Sequence, residues 1–235
     1  MRKAGSILKD FMNSLSKEIK VGVGTNVIER KADDFIASKG AKAIFRGYRG
    51  FPSSICASKN EVVVHGIPRK GEILEEGDII SIDAGVKYKG YCADCARTFA
   101  VGKISEEAER LISVTSESLN KGIEMAKTGN HVQDISWAIQ SFVESNGFNV
   151  VRAFVGHGIG RNLHQEPEVP NFGKPNKGML LEDGMALAIE PMVTTGTGEV
   201  KILDDGWTAV TKDGRLSAHF ENTIIVNGEK AEITT

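Results

Sequence analysis

The sequence predicts an α+β fold with a mostly antiparallel sheet flanked by helices. Three observations point there. Helical and strand-like stretches occur in similar proportion in both halves of the 235 residues, without the regular βα alternation of a parallel sheet. Residues 79–86 and 91–99 read as two strands around one tight turn. No linker rich in Pro, Ser or Gly divides the chain, so residues 1–235 are expected to form one domain of two similar halves.

Each element follows from its residues. Residues 4–20 place Ile7, Leu8, Phe11, Met12, Leu15 and Ile19 at helical spacing, which predicts an amphipathic first helix. Thr25 or Asn26 caps a second helix with Ile28, Ala32, Phe35 and Ile36 on its apolar face, and Lys39-Gly40 ends it. Residues 61–64 and 78–86 read as strands. A long helix starts near Ser105 with Glu106 and Glu107 in its first turn, where the helix dipole favours them. It runs through Leu111, Ile112, Leu119 and Met125 towards Gly129. Another helix covers 132–145 on Val132, Ile135, Ile139 and Phe142, and Asn146-Gly147 stops it. Strands are predicted at 149–155, 185–194, 207–211 and 217–226.

With 40% hydrophobic residues the chain can bury a substantial core. The net charge of −2 names no polyanionic partner. Its distribution is uneven: residues 1–50 hold eleven Lys/Arg against five Asp/Glu. That basic segment reads either as a solvated helix surface or as a face that touches nucleic acid or another acidic surface. Cys56, Cys92 and Cys95 are too few and odd in number for a disulfide framework, which points to a reducing compartment. Cys92 and Cys95 form a C-x-x-C with no second pair, and in a strand they face opposite sides, so they read as buried thiols. No apolar stretch of about 18 residues exists, so no membrane span is expected. A soluble, cytoplasmic monomer is the expectation.

Five residues stand out against their surroundings: Asp83 in IISIDAG, Asp94 in YCADCARTF, His157 in FVGHGIG, Glu190 in ALAIEPM and Glu221 in HFENTII. Carboxylates in apolar runs are costly to bury without positive charge nearby. Four carboxylates and one neutral imidazole carry a charge that two divalent ions would neutralise. If the hairpin turn centres on Tyr88-Lys89, Asp83 and Asp94 lie directly opposite each other. Like charges so placed destabilise a hairpin unless a cation bridges them. The alternative is an exposed aspartate at a strand end paired with Lys or Arg, and a register slip would separate the two. The glycines beside His157 suggest close approach of backbone to a ligand.

Taken in order, VVVHGIP, SIDAG, ADCARTF, GHGIG with a following H-x-E-P, IEPM and the final FEN resemble the type I methionine aminopeptidases over nearly the whole chain. The resemblance implies the pita-bread fold, with pseudo-twofold halves around a two-metal site in the central sheet. It implies Asp83, Asp94, His157, Glu190 and Glu221 as ligands, Asp94 and Glu221 bridging both ions. Two divalent ions, Co, Mn, Fe or Zn, are the implied cofactors. The implied activity is removal of N-terminal methionine from peptides and nascent chains when the second residue is small, by metal-activated water. Glu190 is the implied proton carrier, His164 the donor to the developing oxyanion, and His65 the contact to the second residue's nitrogen. The methionine pocket maps onto Phe45, Tyr48, Phe51, Cys56 and Trp207.

The chain departs from the family pattern at four places. Phe51 stands where tyrosine is frequent, and Leu163 where an aromatic is common. His219 stands where glutamine is usual, and Asn222 where histidine is frequent. The first two are expected to widen the pocket or relax its selectivity. The last two flank Glu221 and are expected among the groups around it. Activity is expected to fall below about pH 6, where His157 must stay neutral to bind metal. The nearest alternative is an Xaa-Pro peptidase of the same fold. A non-enzymatic relative is disfavoured because all five ligand positions are filled.

Overall fold

The computed structural model describes residues 1–235. Helix α1 is Arg2–Leu15 and α2 is Thr25–Ser38. The first half continues with strands β1 (Lys42–Ala43), β2 (Ile55–Lys59), β3 (Val62–Val64), β4 (Ile79–Tyr88) and β5 (Tyr91–Ala100). Helices α3 (Glu106–Met125) and α4 (Val132–Ser145) follow. Strands β6 (Asn149–Val150), β7 (Gly156–Gly158), β8 (Gln165–Val169), β9 (Ala186–Ile189) and β10 (Met192–Thr194) come next. The chain ends with β11 (Val200–Ile202), β12 (Ala209–Thr211), β13 (Ser217–His219), β14 (Asn222–Ile225) and β15 (Glu232–Ile233).

Every strand pair is antiparallel. In the first half β4 pairs with β1, β2 and β5. The apolar stripe of α1 (Leu8, Phe11, Met12, Leu15) and of α2 (Ile28, Ala32, Ile36) buries against Ile80, Ile82, Ala84 and Ala93 of that sheet. In the second half the order is β15-β14-β9-β7-β8, beside a smaller β13-β10-β6 sheet. There α3 and α4 pack Leu111, Leu119, Ile135 and Ile139 with Leu187, Ile189, Val193 and Ile224. So each half is a helix pair laid on antiparallel strands with its own core. The halves join where β5 meets β14: Glu221 donates its N–H to the carbonyl of Ala96 at 2.9 Å.

Three of the helices begin and end close to where sequence spacing puts them, whereas the first, expected over 4–20, ends at Leu15 and leaves Ile19 buried outside it. The second helix takes Gly24 rather than Thr25 or Asn26 as its N-cap. Ser105 does cap α3, accepting from the N–H of Ala108 at 3.2 Å. The strand predicted at 149–155 shrinks to Asn149–Val150, and those predicted at 185–194 and 217–226 each break in two, whereas the two hairpin strands are unbroken as Ile79–Tyr88 and Tyr91–Ala100.

The hairpin corrects the predicted register. Tyr88 pairs with Tyr91, so the two-residue turn is Lys89-Gly90 rather than Tyr88-Lys89. Both turn residues have positive φ, 47° and 85°. That is the turn whose twist matches right-handed strands, and it explains the glycine at position 90. Asp94 therefore pairs with Gly85 and Asp83 with Ala96. Moving the turn by one residue moves each partner by two, which preserves the face. The two aspartates remain on one side as diagonal neighbours.

Candidate metal centre

The strands that meet at the joint of the two halves supply the charged cluster. Asp83 lies on β4 with Cys56 directly across on β2, and Asp94 lies on β5. His157 is the middle residue of β7, paired with Ala188 of β9. Glu190 leaves the end of β9 and Glu221 precedes β14. Because Ile189 pairs with Asn222, these two glutamates sit at matching strand ends. All five residues line one cavity, together with His65 and His164. Atoms of Asp94, His157 and Glu221 lie within 4.8 Å of one another.

The glycines around His157 have a different cause from the one the sequence suggested. A Cβ on Gly156 would strike the carbonyl oxygen of Ala188, and one on Gly158 that of Glu166. The neighbouring strands by themselves demand glycine there.

The electrostatics of the cluster call for a cation. Oδ1 of Asp83 and Oε1 of Glu221 are buried without any hydrogen-bond partner. No lysine or arginine pairs with the four carboxylates; Glu190 faces only the imidazoles of His157 and His219. Burial drives the carboxyl of Asp83 up to about 7, against hydrogen bonds with Asp94 and Cys56 that pull it down. Asp94 is raised well above the usual range by burial and then by Asp83 and Glu190. Glu190 is raised by burial and by Asp83. Glu221 is raised by burial and by its three carboxyl neighbours. Like charges resisting ionisation in a buried cluster are what bound divalent ions relieve.

His157 is prepared as a ligand. Its Nδ1 lies 2.9 Å from the carbonyl of Gly158, which only accepts, so Nδ1 carries the proton and Nε2 presents a lone pair. Burial holds its pKa below the ordinary imidazole value. That Nε2 stands 3.5 Å from Oε1 of Glu190. A lone pair facing a carboxylate repels it, whereas two ligands each roughly 2.1 Å from one ion stand about 3–3.5 Å apart. The donor set therefore fits a divalent metal.

Beside the cluster the cavity is apolar. Its walls are Phe45, Tyr48, Phe51, Cys56, Leu163 and Trp207, with Arg49 at the rim. Phe51 meets Trp207 edge-on at 5.3 Å, and His65 meets Phe154 edge-on at 5.3 Å. The cavity as a whole, carboxylate cluster included, has a volume of about 150 Å³. Tyr48 and His164 are stacked, with the tyrosine hydroxyl 2.8 Å from Nδ1 of His164. Partial burial first, then His157, Arg49 and His65, holds the His164 pKa at about 4. His219 is driven down to about 3 by burial and then by His65.

The cavity thus brings together each site residue expected from the sequence. It adds Arg49, which sits at φ 49° and stacks over Tyr48 at 5.5 Å. It also reveals supports. Glu29 of α2 accepts from Ser53 Oγ, the Ser54 N–H and Arg46, pinning the loop that carries Tyr48 and Phe51. Thr223 Oγ1 accepts from the N–H of Asp94 and donates to its carbonyl, both at 2.9 Å. Asn222 departs from expectation: its side chain turns away to Thr235, so it is not grouped around the carboxylates.

The fold and the buried cluster define a metallopeptidase of the pita-bread class. The chain belongs to metallopeptidase family M24, which it matches over residues 1–228. A methionine aminopeptidase of Clostridium perfringens (strain 13 / Type A) is 55% identical over 235 residues, 100% of this chain and 94% of that protein. The methionine aminopeptidase 1 of Bacillus subtilis (strain 168) is 49% identical over the same share of both. The crystal structure of methionine aminopeptidase from Thermotoga maritima superposes with a TM-score of 0.98 at 45% identity, covering 100% of this chain and 94% of that one.

Proposed function

We propose that the protein is a metal-dependent aminopeptidase that releases N-terminal methionine from peptides and nascent chains when the second residue is small. One observation carries this reading. The buried Asp94, His157 and Glu221 and the half-buried Asp83 and Glu190 converge beside a pocket for one apolar side chain. Asp83, Asp94, His157, Glu190 and Glu221 would hold the divalent ions. When bound, such ions supply Lewis acidity and a nucleophile at neutral pH.

The remaining work belongs to the chain's own groups. The carboxylate of Glu190 takes the proton of the attacking water and passes it to the amide nitrogen as the C–N bond breaks. With the Tyr48 hydroxyl donating to Nδ1 of His164, the ring's proton sits on Nε2. That N–H donates to the carbonyl oxygen as it gains negative charge. His65 holds the nitrogen of the second residue. The aromatic walls take the thioether, since sulfur against aromatic edges contributes about 0.3–1.5 kcal/mol.

The test is product release from two tripeptides by protein loaded with Mn(II) or Co(II). Methionine should appear from Met-Ala-Ser, and no alanine from Ala-Pro-Ala. The reverse pattern would assign the chain to the Xaa-Pro peptidases.

The basic N-terminal segment supports docking to an acidic surface such as the ribosome. Arg2, Lys31 and Arg46 are neutralised internally by Glu232, Glu18 and Glu29 with Asp33. Lys3, Lys9, Lys17 and Lys20 are exposed and form no ion pair. Co-sedimentation with ribosomes that weakens as salt rises tests this; salt-independent or absent binding counts against it.

A further inference from the structure

We propose that His219 is a positioning residue of the metal centre, donating Nε2–H to Oε2 of Glu190 when that carboxylate is ionised at a bound ion. The inference rests on Glu190 belonging to the centre.

The two oxygens of Glu190 face two different imidazoles. Oε1 lies 3.5 Å from Nε2 of His157, and Oε2 lies 3.7 Å from Nε2 of His219. The two rings are not equivalent. The Gly158 carbonyl fixes the proton of His157 on Nδ1, so its Nε2 offers only a lone pair. Nε2 of His219 is buried and has no partner at all. A neutral imidazole has one N–H to place, and a carboxylate oxygen is the acceptor it faces. The division of labour follows: His157 and the Glu190 oxygen facing it would serve the metal centre, while the other oxygen takes a hydrogen bond from His219.

His219 is held where this needs it. It ends β13, paired with Met192 of β10, and is 2% exposed. Its N–H donates to Thr98 Oγ1 and its carbonyl accepts from the same hydroxyl, each at 2.9 Å. Thr98 Oγ1 in turn lies 2.8 Å from Ser81 Oγ. The strand therefore fixes the backbone of His219, and Glu190 lies at a strand end just before Pro191. A separation of 3.7 Å exceeds a hydrogen bond, and closing it takes a shift of under about 1 Å in the carboxylate.

The test is a calorimetric titration of Mn(II) at pH 7.5 into the parent, His219→Leu, His219→Gln and Asp94→Asn. His219→Leu should weaken binding about 10–100-fold, the range for outer partners of metal ligands, while His219→Gln, which keeps an N–H donor, stays within about threefold. A parental Kd in His219→Leu, or an equal loss in both His219 variants, overturns the proposal. Asp94→Asn separates the two readings. If it binds Mn(II) like the parent, the metal centre itself is misassigned. If it loses binding while His219→Leu does not, only the role of His219 fails. Nitrogen NMR of the Zn(II)-loaded parent decides the point without any substitution. A protonated Nε2 on His219 is expected, and an unprotonated one overturns the proposal.

Discussion

Asp94 carries the sharpest conflict among the residues. It is 4% exposed, and burial, Asp83 and Glu190 all oppose its ionisation. Asp94→Asn keeps the shape and removes the charge. Methionine release should fall by more than about a hundredfold, beyond the effect of losing an outer partner. The metal-free variant should melt close to the parent, because the metal-free fold already favours the neutral form of this carboxyl and the amide keeps its shape. Retained activity would show that the hairpin aspartates are not ligands. Tyr48→Phe probes His164. Losing one hydrogen bond of about 1 kcal/mol corresponds to a roughly fivefold fall in kcat, with KM less affected, in steady-state kinetics on Met-Ala-Ser. An unchanged kcat would remove Tyr48 from the orientation of His164. At this scale the sequence was informative wherever a charge sat in an apolar run, as with Asp83, Glu190 and Glu221. Arg49 left no such trace, because a rim residue at positive φ belongs to no periodic pattern.

Among the elements, the joint between β5 and β14 decides how well the ligands are aimed. Thr223 satisfies both backbone groups of Asp94 with one hydroxyl. Thr223→Val leaves a buried N–H and C=O unpaired, at about 1–3 kcal/mol. For a chain of this length that lowers Tm by roughly 2–12 °C. Calorimetry checks it, and an unchanged Tm would mean the hydroxyl is dispensable. The long amphipathic helices were legible because α1, α3 and α4 repeat their apolar residues for several turns. Strands of two or three residues, such as β1, β7, β11 and β15, give no alternation to read. The 79–100 hairpin lay between these cases. Its strands were plain, but its turn was set by two positive φ angles that only Gly90 hinted at.

For the whole molecule, the buried cluster couples stability to pH. The carboxyls of Asp83, Asp94, Glu190 and Glu221 are all raised in the metal-free fold. A raised acid contributes stability that is complete below its unfolded value near pH 4 and lost as pH rises through the folded value, about 7 for Asp83. His157, His164 and His219 act in the opposite sense. Their lowered values give stability present above the unfolded pKa of 6.5 and lost as pH falls through about 4 for His164 and about 3 for His219. Metal replaces protons on the carboxylates, so Mn(II) should raise Tm more at pH 8 than at pH 5.5. Equal increments at both would contradict the cluster as the binding site. Protons competing at the carboxylates oppose metal binding on the acid side, and burial lowers the value of His157, the imidazole ligand that must also stay neutral.

The most direct measurement is the number of Mn(II) ions bound per chain, titrated by calorimetry at pH 7.5 while methionine release from Met-Ala-Ser is followed at each addition. Two equivalents should bind, release protons from the carboxyl cluster, and switch on activity. A protein that binds no Mn(II), or that releases methionine equally well after chelation, would contradict a metal centre built on Asp83, Asp94, His157, Glu190 and Glu221.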